Sequence, residues 1–259
     1  MSIVAEHAED AAAAARFFAR ALTEISGLKP TTGVRVLDFG CGAGALVQSL
    51  VGLGYDCYGC DIVSTSAMMS DPKRIRQIEP SPYRLPFDDD TFDAVVSTTV
   101  LEHARNPEEY LPEIRRVLKA GGFALHIFPA KWYLPQEPHL HVPLANYFYP
   151  NCPTWWFALW ALLGWRSPHH AELGWRQTVI VNRNYYDTGV YYLSTREHER
   201  WSRAVFGNCE WPMEFYISHA DGGFARLCRK LPFRKFWGSV SREFRMAFLL
   251  QHKANSSAP

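Results

Sequence analysis

The stretch that most constrains this chain is Val34–Gly44, VRVLDFGCGAG. Val34, Val36 and Leu37 form a short apolar run of strand type that stops at Asp38. Gly40, Gly42 and Gly44 then alternate with Phe39, Cys41 and Ala43, and the helix-forming Ala45–Leu53 follows at once. A strand that ends in a glycine turn and feeds a helix brings bare backbone to a ligand at a helix N-terminus. Glycine is needed because side chains would block that approach and because such a turn uses positive φ. The pattern points to a nucleotide-type site.

The turn by itself leaves two readings open. Gly40-x-Gly42-x-x-Ala45 satisfies the spacing of dinucleotide-binding folds. Asp38-x-Gly40-x-Gly42-x-Gly44 is similar to the turn of class I S-adenosylmethionine (SAM) methyltransferases. A second strand-like run, Tyr55–Cys60, ends at Asp61, 23 residues after Asp38. An acid there accepts hydrogen bonds from both ribose hydroxyls, which either cofactor presents, so it does not discriminate. Asp38 does in part: a carboxylate beside the turn repels a pyrophosphate, whereas SAM carries a sulfonium and an ammonium.

Composition bounds the rest. The 259 residues, 47% of them hydrophobic, suffice for one domain with insertions and a sizeable core. A net charge of +1 gives no overall argument for nucleic acid. The charge is uneven, however: Arg226–Lys253 carries eight Lys/Arg against one acid, Glu243. Six cysteines are scattered, and Cys57-x-x-Cys60 has no second pair at ligand spacing, so they read as buried thiols with no metal among them. Residues 1–26 are Ala-rich but interrupted by charges, without the pattern of a signal peptide, and a reduced cytoplasmic setting is expected.

Taken in order, residues 4–26 read as an amphipathic helix with Phe17, Phe18, Leu22 and Ile25 as its apolar stripe. Strands are expected at 34–38, 55–61, 74–78, 92–98 and 123–128, with helices at 45–53, weakly at 64–71, and at 107–119. Asn106-Pro107-Glu108-Glu109 is a strong helix start. This order implies an open, mainly parallel sheet with right-handed crossovers. Past Pro129 the chain turns rich in Pro, His and aromatics, as expected of an insertion over the strand ends. Trp155–Trp165, WWFALWALLGW, is too short to span a bilayer. Ser194–Glu197 opens a helix with a capping box, Met213–Ser218 reads as a late strand, and Phe233–Gln251 reads as an amphipathic helix. The apolar face of that last helix would hold Phe233, Phe236, Trp237, Val240, Phe244 and Phe248.

Four pieces in order, LDFGCGAG, Asp61, LPFDDDTFDAVVSTTVLEH and LPEIRRVLKAGGFALHIFP, resemble class I SAM-dependent methyltransferases of the small-molecule, methyltransferase-11-like type. The resemblance spans residues 30–130. It implies SAM as cofactor, with Asp38, Phe39, Gly40, Cys41, Gly42 and Gly44 around the methionine end and Asp61 on the ribose. It further implies Ile62 on the adenine face, and Ser97 and Thr98 lining the reactive side. Family members place an acid before the LPF segment to bond the adenine amino group; here Ser81 holds that place, a departure that bears on adenine binding. Trp132–Leu144 contains Glu137-Pro138-His139, which looks like a stretch of bacterial methyltransferases associated with sugar and cell-surface glycan pathways.

Methyl transfer to a hydroxyl needs alignment, exclusion of water and a base near neutral pKa. His139 and His141 would share a side of an extended segment, with Glu137 as orienting acid; His103 in Leu101-Glu102-His103 is the third candidate. Asp88-Asp89-Asp90 reads as a solvated turn. The fold expected is α/β and doubly wound, with a mainly parallel, seven-stranded Rossmann-like sheet, an aromatic-rich insertion after the fifth strand and a C-terminal helical extension. Its expected parts are an N-terminal helix (1–29), a SAM-binding core (30–130), an acceptor-binding insertion (131–176), the end of the core sheet (177–220) and a basic amphipathic extension (221–259). The function expected is O-methylation of a sugar or lipid-linked glycan. The alternatives are a small natural product or quinone as acceptor, or a SAM-fold binding protein without catalysis. The basic, aromatic C-terminal stretch fits either a solvated surface helix or, helped by Trp155–Trp165, reversible association with the inner face of a membrane.

Overall fold

The computed structural model describes residues 3–30, 33–63 and 73–255; the helix expected at 64–71 lies outside them. Six strands form one sheet: β1 (Arg35–Phe39), β2 (Asp56–Asp61), β3 (Ile75–Gln77), β4 (Phe92–Thr98), β5 (Leu118–Pro129) and β6 (Met246–His252). Their order is β3-β2-β1-β4-β5-β6. All neighbours run parallel except β5 and β6, which are antiparallel. The order reverses between β1 and β4, and a crevice opens at such a switch point beyond the carboxyl ends of the strands.

Each strand of the parallel core is apolar on both faces because helices cover both. Leu37 and Val95 face one core, whereas Val36, Ala94 and Val96 face the other. The first helix, α1 (Ile3–Glu24), is Ala-rich and places Phe17, Phe18 and Leu22 in the core with α2 (Ala45–Gly52). It covers a sheet face rather than the cofactor side. On the opposite face α3 (Pro107–Val117) contributes Tyr110, Leu111, Ile114 and Val117. Cys57 and Cys60 fall into these two different cores, on opposite sides of the sheet.

Beyond β5 the insertion builds a small core of its own from α4 (Thr154–Leu162) and α5 (Trp175–Thr188), centred on Phe157 and Tyr186 with Leu140 and Val142. The chain then forms α6 (Thr195–Phe206), whose N-terminus carries the expected capping box between Ser194 and Glu197. It continues through α7 (Met213–His219), α8 (Gly223–Cys228) and α9 (Arg234–Phe244) before β6 closes the sheet.

Three expectations are corrected here. Met213–Ser218 is helical, because Met213, Tyr216, Ile217 and Ala220 recur at helical spacing and are all buried. The last strand comes instead from the stretch expected to continue a helix. Arg245 leaves helical geometry at φ −138°, ψ −117°, and Ala247–Gln251 is buried on both faces against β5. The described residues therefore hold six strands, not seven, and the C-terminal stretch is a helix followed by a core strand. Finally, α9 packs on α7 through its small residues. A Cβ at Gly238 would lie 2.9 Å from Met213 Cβ. Gly238 and Ser241 are buried, while Phe233, Phe236 and Phe244 remain outside.

Candidate active site

The glycine turn after β1 is held by backbone bonds. Gly40 and Cys41 both donate their N–H to the Cys60 carbonyl at the end of β2, at 2.8 and 3.1 Å. Gly40, Gly42 and Gly44 all take positive φ (78°, 50° and 78°), which a side chain would strain. At Gly40 space matters as well, since a Cβ would sit 2.4 Å from Val100 Cγ2. Asp61 ties the turn to β2: its Oδ2 accepts from Gly42 N at 2.7 Å and its Oδ1 from Val63 N at 2.9 Å. Each carboxylate oxygen keeps a further lone pair for a ligand hydroxyl.

A cavity of about 390 Å³ opens at this switch point. Phe39, Gly40, Asp61, Ile62 and Val63 form one wall, with Ile78 and Tyr83 beside them. Thr99, Val100, His103 and Ala104 follow β4, and Thr188, Gly189 and Tyr191, with Tyr185 of α5, close the far side. Apolar walls flank one carboxylate and a turn of bare backbone, which fits a nucleoside with its ribose on Asp61.

Of the cofactor candidates, Phe39, Gly40, Asp61 and Ile62 line the cavity; Cys41, Gly42 and Gly44 belong to the turn behind it. Asp38 is fully enclosed and is not a lining residue. Burial, with the Asp61 charge adding to it, pushes its pKa up to about 8, and its Oδ2 lacks a hydrogen-bond partner. Such an orphan oxygen favours a cationic or hydrogen-bonding ligand group nearby. Burial and then the Asp38 charge push the Cys41 thiol up, so it stays neutral.

Three candidates are displaced. Ser97 does not face the cavity: it is fully buried, and its Oγ lies 2.7 Å from Nδ1 of His126, its cross-strand partner on β5. Thr98 ends β4 outside the cavity wall, which the next two residues, Thr99 and Val100, supply. Ser81 is exposed and its hydroxyl turns to the Glu109 carboxylate at 3.3 Å. Ile78 and Tyr83, either side of it, reach the cavity instead.

The histidines separate. His103 lines the cavity, and its Nδ1 lies 2.6 Å from the Gly189 carbonyl. A carbonyl only accepts, so Nδ1 carries the proton and Nε2 is a bare acceptor in the neutral ring. Burial, reinforced by the His139 charge, lowers the His103 pKa. His139 packs edge-on against His103, with ring centroids 4.9 Å apart, and its Nδ1 lies 2.9 Å from Glu137 Oε1. Burial works against its charge, but the Glu137 hydrogen bond and the charges of Glu137 and Glu102 outweigh it and raise its pKa. Glu137 is itself fully buried. It accepts from Tyr192 Oη at 2.7 Å and from the N–H groups of His139 and Leu140; against its burial, the His139 ring first and then these bonds lower its pKa.

His141 joins none of this. The segment from Glu137 turns rather than extending: His141 N–H donates back to the Glu137 carbonyl at 2.9 Å, and His141 takes φ +59°. The shared side expected for His139 and His141 therefore does not form.

Glu102 lies between the two rings, with Oε1 3.9 Å from His103 Nε2 and 3.8 Å from His139 Nε2. Both its carboxylate oxygens are buried without a hydrogen-bond partner, and burial pushes its pKa up to about 8. Ligand atoms of Glu102, His103 and His139 all lie within 4.8 Å of one another. Both imidazoles have Nδ1 engaged and Nε2 turned inward, the orientation seen where histidines bind a metal. Sequence reasoning named His103 and His139 but not Glu102 as the group that joins them, and it missed Tyr185, Gly189 and Tyr191 entirely; nothing local marks a residue such as Gly189, 86 positions from the histidine it meets.

Residues 37–126 match the family model described as "Methyltransferase domain". The chain is 30% identical over 138 residues to a ubiquinone biosynthesis O-methyltransferase of Maricaulis maris (strain MCS10), covering 44% of this chain and 54% of that protein. It is 36% identical over 107 residues to the mitochondrial ubiquinone biosynthesis O-methyltransferase of Homo sapiens, covering 36% and 28%. The chain thus spans about half the length, or less, of these curated relatives. A solved structure of an S-adenosylmethionine dependent methyltransferase from Mesorhizobium loti shares the fold, with a TM-score of 0.50 at 14% identity over 91% of this chain and 98% of that one.

Proposed function

We propose that this chain, which carries a class I SAM-dependent methyltransferase domain, methylates a hydroxyl of a small acceptor with His103 as the general base. The observation that carries the reading is His103 itself, on the cavity wall with its tautomer set by Gly189 and Nε2 left bare. When bound, SAM supplies a methyl group already activated on a sulfonium. Asp61 and the glycine turn would orient the nucleoside, and Tyr185, Thr188 and Tyr191 form the far wall against which an acceptor would align. An acceptor hydroxyl on that side gives its proton to His103 Nε2 as its oxygen attacks. The Gly189 carbonyl holds the His103 ring at Nδ1, and His139, itself fixed by Glu137, packs edge-on against it.

Of the acceptor classes, a phenol or quinol has the support of the curated relatives' names. A glycan hydroxyl is the rival, supported by the Glu137-Pro138-His139 segment and the aromatic insertion. The test is release of S-adenosylhomocysteine from SAM with matched panels of catechols, quinols and sugars. Turnover on the aromatic panel, lost in His103→Ala, is the expected result. Turnover on sugars alone would overturn the acceptor assignment, and absence of SAM binding by calorimetry would overturn the enzyme itself.

The cluster of Glu102, His103 and His139 favours a second reading, in which a divalent cation held there lowers the acceptor hydroxyl's pKa. Chelation followed by metal add-back separates the two: the base mechanism survives a chelator and the metal mechanism does not.

A further inference from the structure

We propose that the segment Arg226–Phe236 is a docking surface for an anionic lipid bilayer. The inference stands apart from the active site and does not require the proposed reaction. The segment runs from α8 through the loop into α9, and it exposes Leu227, Phe233 and Phe236 at 57%, 80% and 59%. Phe233 sits at the tip with φ +64°, a left-handed backbone that costs energy for a bulky side chain. That cost is repaid by no packing of its own ring, which projects into solvent.

Four cations surround these side chains, Arg226, Lys230, Arg234 and Lys235, all exposed. Among the described residues none has an ionic partner, because the acids that bracket the segment are engaged elsewhere: Asp221 with Arg16 and Glu243 with Arg242. Arg226, Leu227 and Lys230 also line a shallow groove with Arg229, whose guanidinium is fixed by the carbonyls of Ser218 and Ala220. The reason Phe233 and Phe236 stay outside lies in the packing of α9, which meets α7 at Gly238 and turns Trp237, not these two rings, to the core.

Cations rimming exposed Phe and Leu suit a surface that is negative at its headgroups and apolar just beneath. A nucleic acid would reward the same cations. It would gain little from Leu227 and Pro232, which offer no flat face for a base. No helix among the described residues is long and apolar enough to cross a membrane, so the contact would lie on the surface.

The experiment is co-sedimentation of the full chain with vesicles of phosphatidylcholine alone and of phosphatidylcholine mixed equally with phosphatidylglycerol. Binding is expected only to the mixed vesicles, weakening with salt. Reversing the four charges (Arg226→Glu, Lys230→Glu, Arg234→Glu, Lys235→Glu) should reduce partitioning at least ~10-fold. Phe233→Ser with Phe236→Ser should reduce it on the order of 10-fold at unchanged charge. Circular dichroism verifies that both variants fold. Trp155→Ser with Leu159→Ser, on the exposed face of α4, should leave binding unchanged. The proposal is overturned by absence of binding to the mixed vesicles, or by loss of binding in the α4 variant instead. It is equally overturned if duplex DNA binds as tightly through the same cations with Phe233 and Phe236 neutral.

Discussion

The cofactor cradle and the acid–histidine cluster adjoin one cavity but are built in opposite ways. The cradle is backbone: Gly40, Gly42 and Gly44 supply conformation, Gly40 and Cys41 N–H groups bond the end of β2, and the Asp61 side chain pins Gly42. The cluster is mainly side chain, drawn from 102–103, 137–139 and 185–192, with the Gly189 carbonyl as a backbone acceptor and Glu102, Glu137 and Tyr192 buried. A backbone site tolerates exchange of most neighbouring side chains but not of a glycine. A side-chain site tolerates backbone variation but not loss of a partner, because burial and the neighbouring charges together set which of its groups are ionised.

Substitutions can break that contrast. The largest effect is expected for His103→Ala, which should lower kcat by ~10²–10⁴-fold while leaving affinity for S-adenosylhomocysteine close to wild type. An affinity loss of similar size would mean the two regions are not separable. Next comes Gly40→Ala, which combines positive φ with a Cβ 2.4 Å from Val100. A cost of about 1–3 kcal/mol in folding stability is expected, read from denaturant midpoints. Recovery in part by Val100→Ala would confirm the steric share.

Asp61→Ala should weaken SAM and S-adenosylhomocysteine at least ~10-fold, about 1.4 kcal/mol, in calorimetric titration. An unchanged affinity would show that Asp61 serves only to hold Gly42.

The smallest effect is the most discriminating. Burial disfavours the imidazolium of His103, so its neutral form persists to lower pH than that of a free histidine. If His103 is the base, kcat/KM rises with pH through a pKa below 6.5 and is level by neutral pH. His139 has its pKa raised, so if it were the base the same limb would lie above 6.5. In that case Glu137→Gln would move the limb down.

Much of the core was legible. β4 falls at 92–98 as read, and α2 starts at Ala45 directly after the turn. The pairing of Glu137 with His139 also follows from spacing, since a carboxylate two residues before an imidazole reaches it across a turn. The reading failed where two periods competed. Met213–Ser218 is short and apolar enough to pass for a strand, and Met246–His252 extends an amphipathic run enough to pass for helix. It failed again at Ser97, where the end of β4 was correct but the side chain pairs with His126 across the sheet. At Ser81 the loop was in place but its hydroxyl had a nearer partner in Glu109.

The sequence by itself determined the strand, glycine turn and helix, and with them one wall of the cavity. Positive φ and bare backbone are local requirements that only glycine meets at those positions. Only the tertiary structure decided which histidine faces the cavity and which residues it meets. Gly189 reaches His103 from 86 residues away; burial lowers the His103 pKa and raises that of Glu102, whereas Glu137 raises that of His139 against its burial. It also decided that the chain's last strand completes the sheet, because Ala247–Gln251 is buried only where β5 offers an edge to pair with.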